Sequence, residues 1–574
     1  MTLNAPSTER DVADVSPDEI IENLGGCGRF QVRMSVIVHL IKTIVCFTFM
    51  GMIIISATPP WWCQDGVKEN TLTCPGYKNT TITQYCQSKS CLNGNKTKCR
   101  AFGYDRSLKT IVSEFNLVCH NDFIPSIINS IQITGVLVGN VAAGQIADLF
   151  GRKPPFFTSI VLLLSFNIVG YFSTSWKMFA VARFFVGAGG GFFLTTQYCL
   201  LSEFTLAKWR VWIVGFPSWP IQSCLFSLLA WLIHDWRYIQ LMTALMAIPC
   251  FLAWCVIPES FRWYIAHDKP EKAEVIVRSI AKFNRYTNFD IDKALKKPEN
   301  REDKKYTVLD LFRTKKMVKV TFLLALNWIA LGVVSYGIAF GIQSLSGNIF
   351  FNLFLFSLTG IPCKAIALWL QNRFGRRCTS IMCFTSVAFG GIVVGVVQTL
   401  DVPNKDELTN VFALIANMGI STAWGSVQTM TIEIYPTVIR NIGFGTLSVT
   451  GRIGAIVGPQ LVYLNTYIPG LLYFVCGAIS VICVFVLVFL PETMDKNLND
   501  KIKQVLDLES AVRDKPSKVK STTNDKPEGE ERQTKESTSA RETDKRVPLR
   551  VTNLSKQTHD IHTPGSLEIE TTHM

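Results

Sequence analysis

Four basic residues stand well inside stretches of sequence that are otherwise apolar, more than three residues from either end: Lys42, Arg183, Lys364 and Arg452. No Asp or Glu stands inside any of those stretches. A charged side chain at the centre of a bilayer costs about 2.5–3.5 kcal/mol on insertion scales, so it is read as functional by default. A cavity lined by cations and lacking carboxylates attracts negative charge and repels cations. These residues can therefore bind a small anion. No His/Cys metal spacing and no nucleophile–base pair accompanies them, so neither an enzyme nor a cofactor is expected.

The four are not equivalent. Lys42 lies about 12 Å into its apolar run at 1.5 Å per residue. Its ammonium either faces the cavity or snorkels to the nearer surface. Arg183 opens the run RFFVGAGGG at 183–191, whose small residues suit close helix packing; a structural role is expected. Lys364 follows Pro362, which loosens a helix by removing a backbone donor. Arg452 lies about ten residues into its run, too deep to snorkel comfortably. Lys364 and Arg452 either contact the anion or hydrogen-bond backbone carbonyls freed nearby. His39 stands alone and is expected to pack or snorkel.

Side chains so placed need membrane-crossing helices to hold them. The chain has 574 residues, 48% of them hydrophobic. Apolar runs of about 20 residues, enough to span a bilayer, recur near 34–58, 123–147, 155–175, 177–200, 209–232, 238–257, 317–342, 349–370, 378–399, 410–432, 442–464 and 469–490. This predicts an all-α integral membrane protein of twelve transmembrane helices. The first thirty residues lack the short apolar core of a cleavable signal, so the first span is expected to direct targeting.

The net charge of +13 does not point to nucleic acid, because the basic residues collect at one set of helix ends. That set becomes the cytoplasmic side, with both termini inside. The long segment at 59–122 is then outside. It holds Cys63, Cys74, Cys86, Cys91, Cys99 and Cys119 and the sequons at Asn79 and Asn95, so a disulfide-bonded, glycosylated lobe is expected, with pairing undetermined. The expected layout is a cytoplasmic N-terminus at 1–33, a six-helix bundle at 34–257, a cytoplasmic linker at 258–316, a second bundle at 317–490 and a tail at 491–574. Helical spacing over Glu271–Phe283 predicts a short linker helix. From 496 onward there is no Phe, Trp, Tyr or Cys, which predicts disorder. The terminal Thr572-His573-Met574 suits either a scaffold domain that captures C-terminal carboxylates or an inert end.

Three signals recur in order, about 225 to 235 residues apart. GQIADLFGRK at 144–153 returns as LQNRFGRR at 370–377; Glu203 and Arg210 return as Glu433 and Arg440; Pro258-Glu259-Ser260 returns as Pro491-Glu492-Thr493. Two pseudo-symmetric halves are expected, with the substrate site between them at mid-membrane. Asp148, Arg152, Glu203, Arg210, Arg373, Arg376, Arg377, Glu433 and Arg440 are expected either to form ion pairs between the bundles, latching the cytoplasmic side, or only to set topology.

These residues resemble the organic cation, carnitine and organic anion transporter family of the major facilitator superfamily. The resemblance covers about residues 20–500. GQIADLFGRK is similar to the superfamily's loop signature, with Leu149 where Arg is usual. VSEFNLVC at 112–119, PESFRW at 258–263 and EIYPTVIRNIG at 433–443 are specific to the organic-ion family. The resemblance implies alternating access in the plasma membrane. Cation carriers of the family have an acidic residue where Arg452 stands, and they and the carnitine group have Glu where Gly360 stands. Organic anion transporters have Lys and Arg at the positions of Lys364 and Arg452. By the same resemblance Trp219, Trp231, Tyr336 and Trp424 supply aromatic contacts, or else pack in the lipid belt, and Gln428 stands where an aromatic is common. A small organic anion is the implied substrate, exchanged for a dicarboxylate counter-anion. The alternatives are a carnitine-like or cation carrier, and a non-transporting ligand sensor on the same fold.

Overall fold

Capping residues and prolines cut the apolar sequence into helices. Ser175, Asp235, Ser260, Thr314 and Asn348 each accept a hydrogen bond from a first-turn backbone N–H of the helix that follows, satisfying donors that the helix cannot. The computed structural model describes residues 17–63, 99, 101–206, 209, 213, 216–286, 308–400, 402–435 and 439–494.

The chain runs through α1 (Pro17–Asn23), α2 (Arg29–Ile55), β1 (Trp61–Cys63), β2 (Phe102–Tyr104), α3 (Ile111–Phe115), α4 (Ile124–Phe150), α5 (Lys153–Tyr171), α6 (Trp176–Glu203), α7 (Ser218–Ile233) and α8 (Trp236–Leu245). It continues through α9 (Phe261–Ala266), α10 (Pro270–Asn284), α11 (Lys315–Gly341), α12 (Ile349–Phe374), α13 (Arg376–Thr399), α14 (Lys405–Ile434), α15 (Arg440–Tyr467) and α16 (Leu471–Val488). Among the described residues, nine helical segments are long and apolar enough to cross a membrane. The described part of α7 is shorter, and α14 and α15 are long but less apolar; these three fill the remaining places of a twelve-span chain. The sixth span is α-helical only to Leu245 and becomes a 3₁₀ turn over Pro249–Cys255, where proline removes a backbone donor. Helices α2 and α14 begin earlier than expected, at Arg29 and Lys405. The expected starts mark the onset of apolarity, which follows the onset of helix when polar residues form the first turn.

Glycines set the closest helix approaches. A Cβ on Gly187 or Gly191 of α6 would sit 2.0 and 2.4 Å from the backbone oxygens of Gln132 and Val136 on α4. A Cβ on Gly454 of α15 would sit 2.1 Å from the Ile329 oxygen on α11. The two halves meet along α4 with α15 and α7 with α12. Ser130 Oγ donates to the Ile456 carbonyl (2.8 Å) and Gln460 Nε2 donates to Ser130 Oγ (3.0 Å). Ser223 and Ser357 share a 2.6 Å hydroxyl contact. At the lobe end, Gln343 Nε2 donates to the Ile53 carbonyl at 2.8 Å and to Ser56 Oγ at 3.1 Å, and Tyr467 OH donates to Asp122 Oδ2 at 2.6 Å.

In the lobe, β1 pairs antiparallel with β2, and a Cys63–Cys99 disulfide joins their ends. Cys119 is disulfide-bonded as well. Cys74, Cys86, Cys91, Asn79, Asn95 and the tail, including Thr572-His573-Met574, lie outside the described residues. Glu114 of the VSEFNLVC segment accepts from Trp236 Nε1 (2.6 Å) and Arg237 Nε (3.0 Å), docking the lobe on the start of α8. Arg237 also donates to the Tyr171 and Ser173 carbonyls.

Candidate functional site

The glycines flanking Arg452 let α15 lie close to α11, and Arg452 Nη1 there donates to Tyr336 OH at 2.9 Å. The adjacent Ser335 accepts from Trp424 Nε1 of α14 at 2.6 Å. Neighbouring residues of α11 thus fix a cation and an indole on two different helices. Trp424 meets Trp328 edge-to-face at 5.8 Å, Trp328 meets Phe444 at 5.5 Å, and Phe444 stacks on Tyr198 of the other half at 5.5 Å and 17°. An aromatic wall therefore runs from the Arg452–Tyr336 pair to the linker end of the interface. Gln428 follows Trp424 by one turn on α14 and is half-buried.

The first half contributes Lys42 and Trp219. Lys42 Nζ lies 5.9 Å from the Trp219 ring, within cation–π range, and that ring meets Phe49 at 6.0 Å. Lys42 and Lys364 are both half-buried. Among the described residues, none of Lys42, Lys364 and Arg452 has a carboxylate within ion-pair distance. The arrangement is suited to holding an anion and a flat apolar body together.

Trp231 lies apart from the other aromatics. It is twelve residues beyond Trp219 on α7, hence about 120° around the helix, and it is half-exposed beside Leu228 and Leu232 on the helix's outward stripe. The structure does not bring it to the other aromatics. Arg183 is fully buried on α6 with its guanidinium 5.0 Å from the Phe179 ring.

The repeated charges form two clasps at the linker end. In the first half, Arg152 Nε donates to Glu203 Oε1 at 2.8 Å and Nη1 to Asp148 Oδ1 at 2.5 Å. In the second, Arg376 pairs with Glu433 at 2.9 Å, and Thr493 Oγ1 donates to Glu433 Oε2 at 2.6 Å. These pairs lie within each half. The turn between α4 and α5 is short, so Arg152 sits beside its own last turn and the end of α6. Arg373 is exposed. Arg440 Nε donates to the Tyr435 carbonyl at 3.3 Å. Arg210 lies outside the described residues.

Two acids outside the expected charge set complete the clasps. Glu259 accepts the backbone N–H groups of Arg152 (2.7 Å) and Lys153 (3.0 Å). Glu492 accepts those of Arg376 (2.9 Å) and Arg377 (3.1 Å). Each caps the positive N-terminus of a membrane helix. Burial works against ionisation of Glu492, but the surrounding backbone donors hold its carboxyl below the usual range. The signal was present, since Pro258-Glu259 and Pro491-Glu492 recur with the Arg and Gly they serve.

Residues 76–505 match the sugar (and other) transporter family. The chain is 29% identical to human organic cation/carnitine transporter 2, over 85% of this chain and 94% of that one. It is 30% identical to mouse solute carrier family 22 member 21, over 73% and 74%, and 27% identical to human organic anion transporter 3, over 85% and 93%. Its fold is similar to the inward-open xylose transporter XylE of E. coli, with a TM-score of 0.57 at 14% identity, covering 83% of this chain and 99% of that one.

Proposed function

As a member of the sugar (and other) transporter family and of solute carrier family 22, the chain is a transporter, and we propose that it carries small organic anions across the plasma membrane by alternating access. One observation supports the charge preference: Lys42, Lys364 and Arg452 share the membrane interior without a partnering carboxylate among the described residues. The anionic group is held by Lys364 and Arg452, and the substrate's flat part by Tyr336, Trp424 and Trp219. The clasps bias the two end states, the termini face the cytoplasm, and the lobe at 59–122 faces outside. Exchange against an internal dicarboxylate returns the carrier.

A second reading is a carnitine-like or organic cation carrier, favoured by the relatives named as organic cation/carnitine transporters. Among the described residues of the membrane helices, that reading lacks a buried acid beside Lys42, Lys364 or Arg452 to hold the cation. The test is labelled benzoate uptake into proteoliposomes of the full chain, with and without internal glutarate. Saturable uptake, raised several-fold by internal glutarate, is expected. Binding without flux would favour the sensor reading, and flux indifferent to glutarate would remove the exchange step.

A further inference from the structure

Lys42 and Lys364 reach one place from opposite halves. On α12, Lys364 stands one helical turn beyond Gly360. The space a Gly360 side chain would need is filled by Cβ and Cγ of Pro220, each 3.2 Å away. The residue beside Pro220 is Trp219, whose ring faces Lys42 Nζ. Cys46, one turn beyond Lys42 on α2, donates through Sγ to the Trp219 carbonyl at 3.6 Å. Helices α2, α7 and α12 thus converge on one junction with an ammonium on either side of it. Neither makes a hydrogen bond or ion pair among the described residues.

Two like charges held at one junction away from bulk water repel, and each is poorly solvated. One negative charge on a ligand compensates one of them, or Arg452, and leaves the others in excess. A second negative charge meets a cation for which no protein carboxylate competes. Resting on the anion reading above, we propose that Lys42 and Lys364 form a split site, one ammonium from each half, that selects dianions over monoanions of similar size. The ligand class is a compact dicarboxylate, aliphatic or aromatic, that joins the two halves when bound. Lys42 then determines charge selectivity as well as adding affinity.

Benzoate and phthalate share a ring and differ by one carboxylate. Each competes, near neutral pH, against labelled anion uptake by the full chain in proteoliposomes. Phthalate is expected to inhibit at about tenfold lower concentration than benzoate, a factor typical of one added charge contact. In Lys42→Leu the ratio should fall to about one, whatever happens to absolute uptake, and in Lys42→Arg it should persist. Lys364→Leu approaches the pair from the other half and should collapse the same ratio. A ratio near one in the native protein would overturn the proposal, as would a ratio that survives in both leucine variants. Quaternary ammonium uptake with no uptake of either anion would instead overturn the anion reading on which it rests.

Discussion

Replacing Arg452 by aspartate is expected to reduce anion uptake at least about a hundredfold. The change does three things at one point. It removes the guanidinium that Tyr336 OH orients at 2.9 Å, it leaves that hydroxyl without its donor, and it puts a negative charge where the substrate's own must sit. Loss of a desolvated charge contact alone costs about 2–5 kcal/mol, and about 2.8 kcal/mol is already a hundredfold. The measurement is the initial rate of labelled benzoate uptake at equal surface expression. Tyr336→Phe provides the graded comparison. It keeps the ring and the cation and removes only the hydroxyl, so a several-fold loss is expected. Native-like uptake by Arg452→Asp would remove Arg452 from the site.

The second large effect lies far from the substrate. Alanine at Gly151 or Gly375 should cripple transport while leaving the central cavity untouched. Their φ values, +101° and +90°, with ψ near 170°, belong to a region that essentially only glycine occupies, at about 1–3 kcal/mol for other residues. A Cβ at Gly151 would also stand 2.4 Å from Glu259 Oε2, and one at Gly375 would stand 2.7 Å from the Glu492 carboxyl. Each alanine therefore strains the turn and pushes the carboxylate off the helix N-terminus it caps. Detergent-solubilised Gly151→Ala and Gly375→Ala should melt earlier than the native protein. Gly144→Ala is the matched control, because its Cβ would meet nothing within 4 Å in a helix where alanine is favoured by about 0.5–1 kcal/mol. Acid probes the same clasp. The Glu492 carboxyl is held below its ordinary range, so its contribution is complete above that range and lost as the pH falls through the folded-state value. Acidification should therefore destabilise the native protein more than Glu492→Gln.

Much of this arrangement was legible in the sequence, for identifiable reasons. Apolar length dictates a membrane helix with little dependence on context, and a charge inside such a helix is conspicuous against it. Hence Lys364 and Arg452 stand out from the residues alone, whereas Tyr336 and Trp424 are named only by the family resemblance; the structure ties Arg452 to Tyr336 and Trp424 to Ser335, the neighbour of Tyr336. The clasps were visible only as a recurring pattern. Equal offsets in two halves say that Arg152, Glu203, Arg376 and Glu433 belong to one device, but fit pairing within halves and between them equally well. In the structure Arg152 meets Glu203 and Arg376 meets Glu433, each within its own half. The roles of Glu259 and Glu492 were hidden because their partners are backbone N–H groups more than a hundred residues away, and every residue type except proline offers such a donor. Trp231 stays open between aromatic contact and lipid belt in the sequence, because residue type suggests the first while position around the helix decides between them. The contacts that join the halves through Ser130, Ser223, Ser357 and Gln343 carry no sequence signal, since small polar residues occur throughout membrane helices.

On the anion reading, the cationic residues in these helices decide which ion this fold carries. Uptake of labelled benzoate and of labelled tetraethylammonium, measured side by side in proteoliposomes containing the full chain and internal glutarate, tests it most directly. Saturable benzoate uptake with no tetraethylammonium uptake above protein-free liposomes is the predicted result. Saturable tetraethylammonium uptake without benzoate uptake would contradict the account.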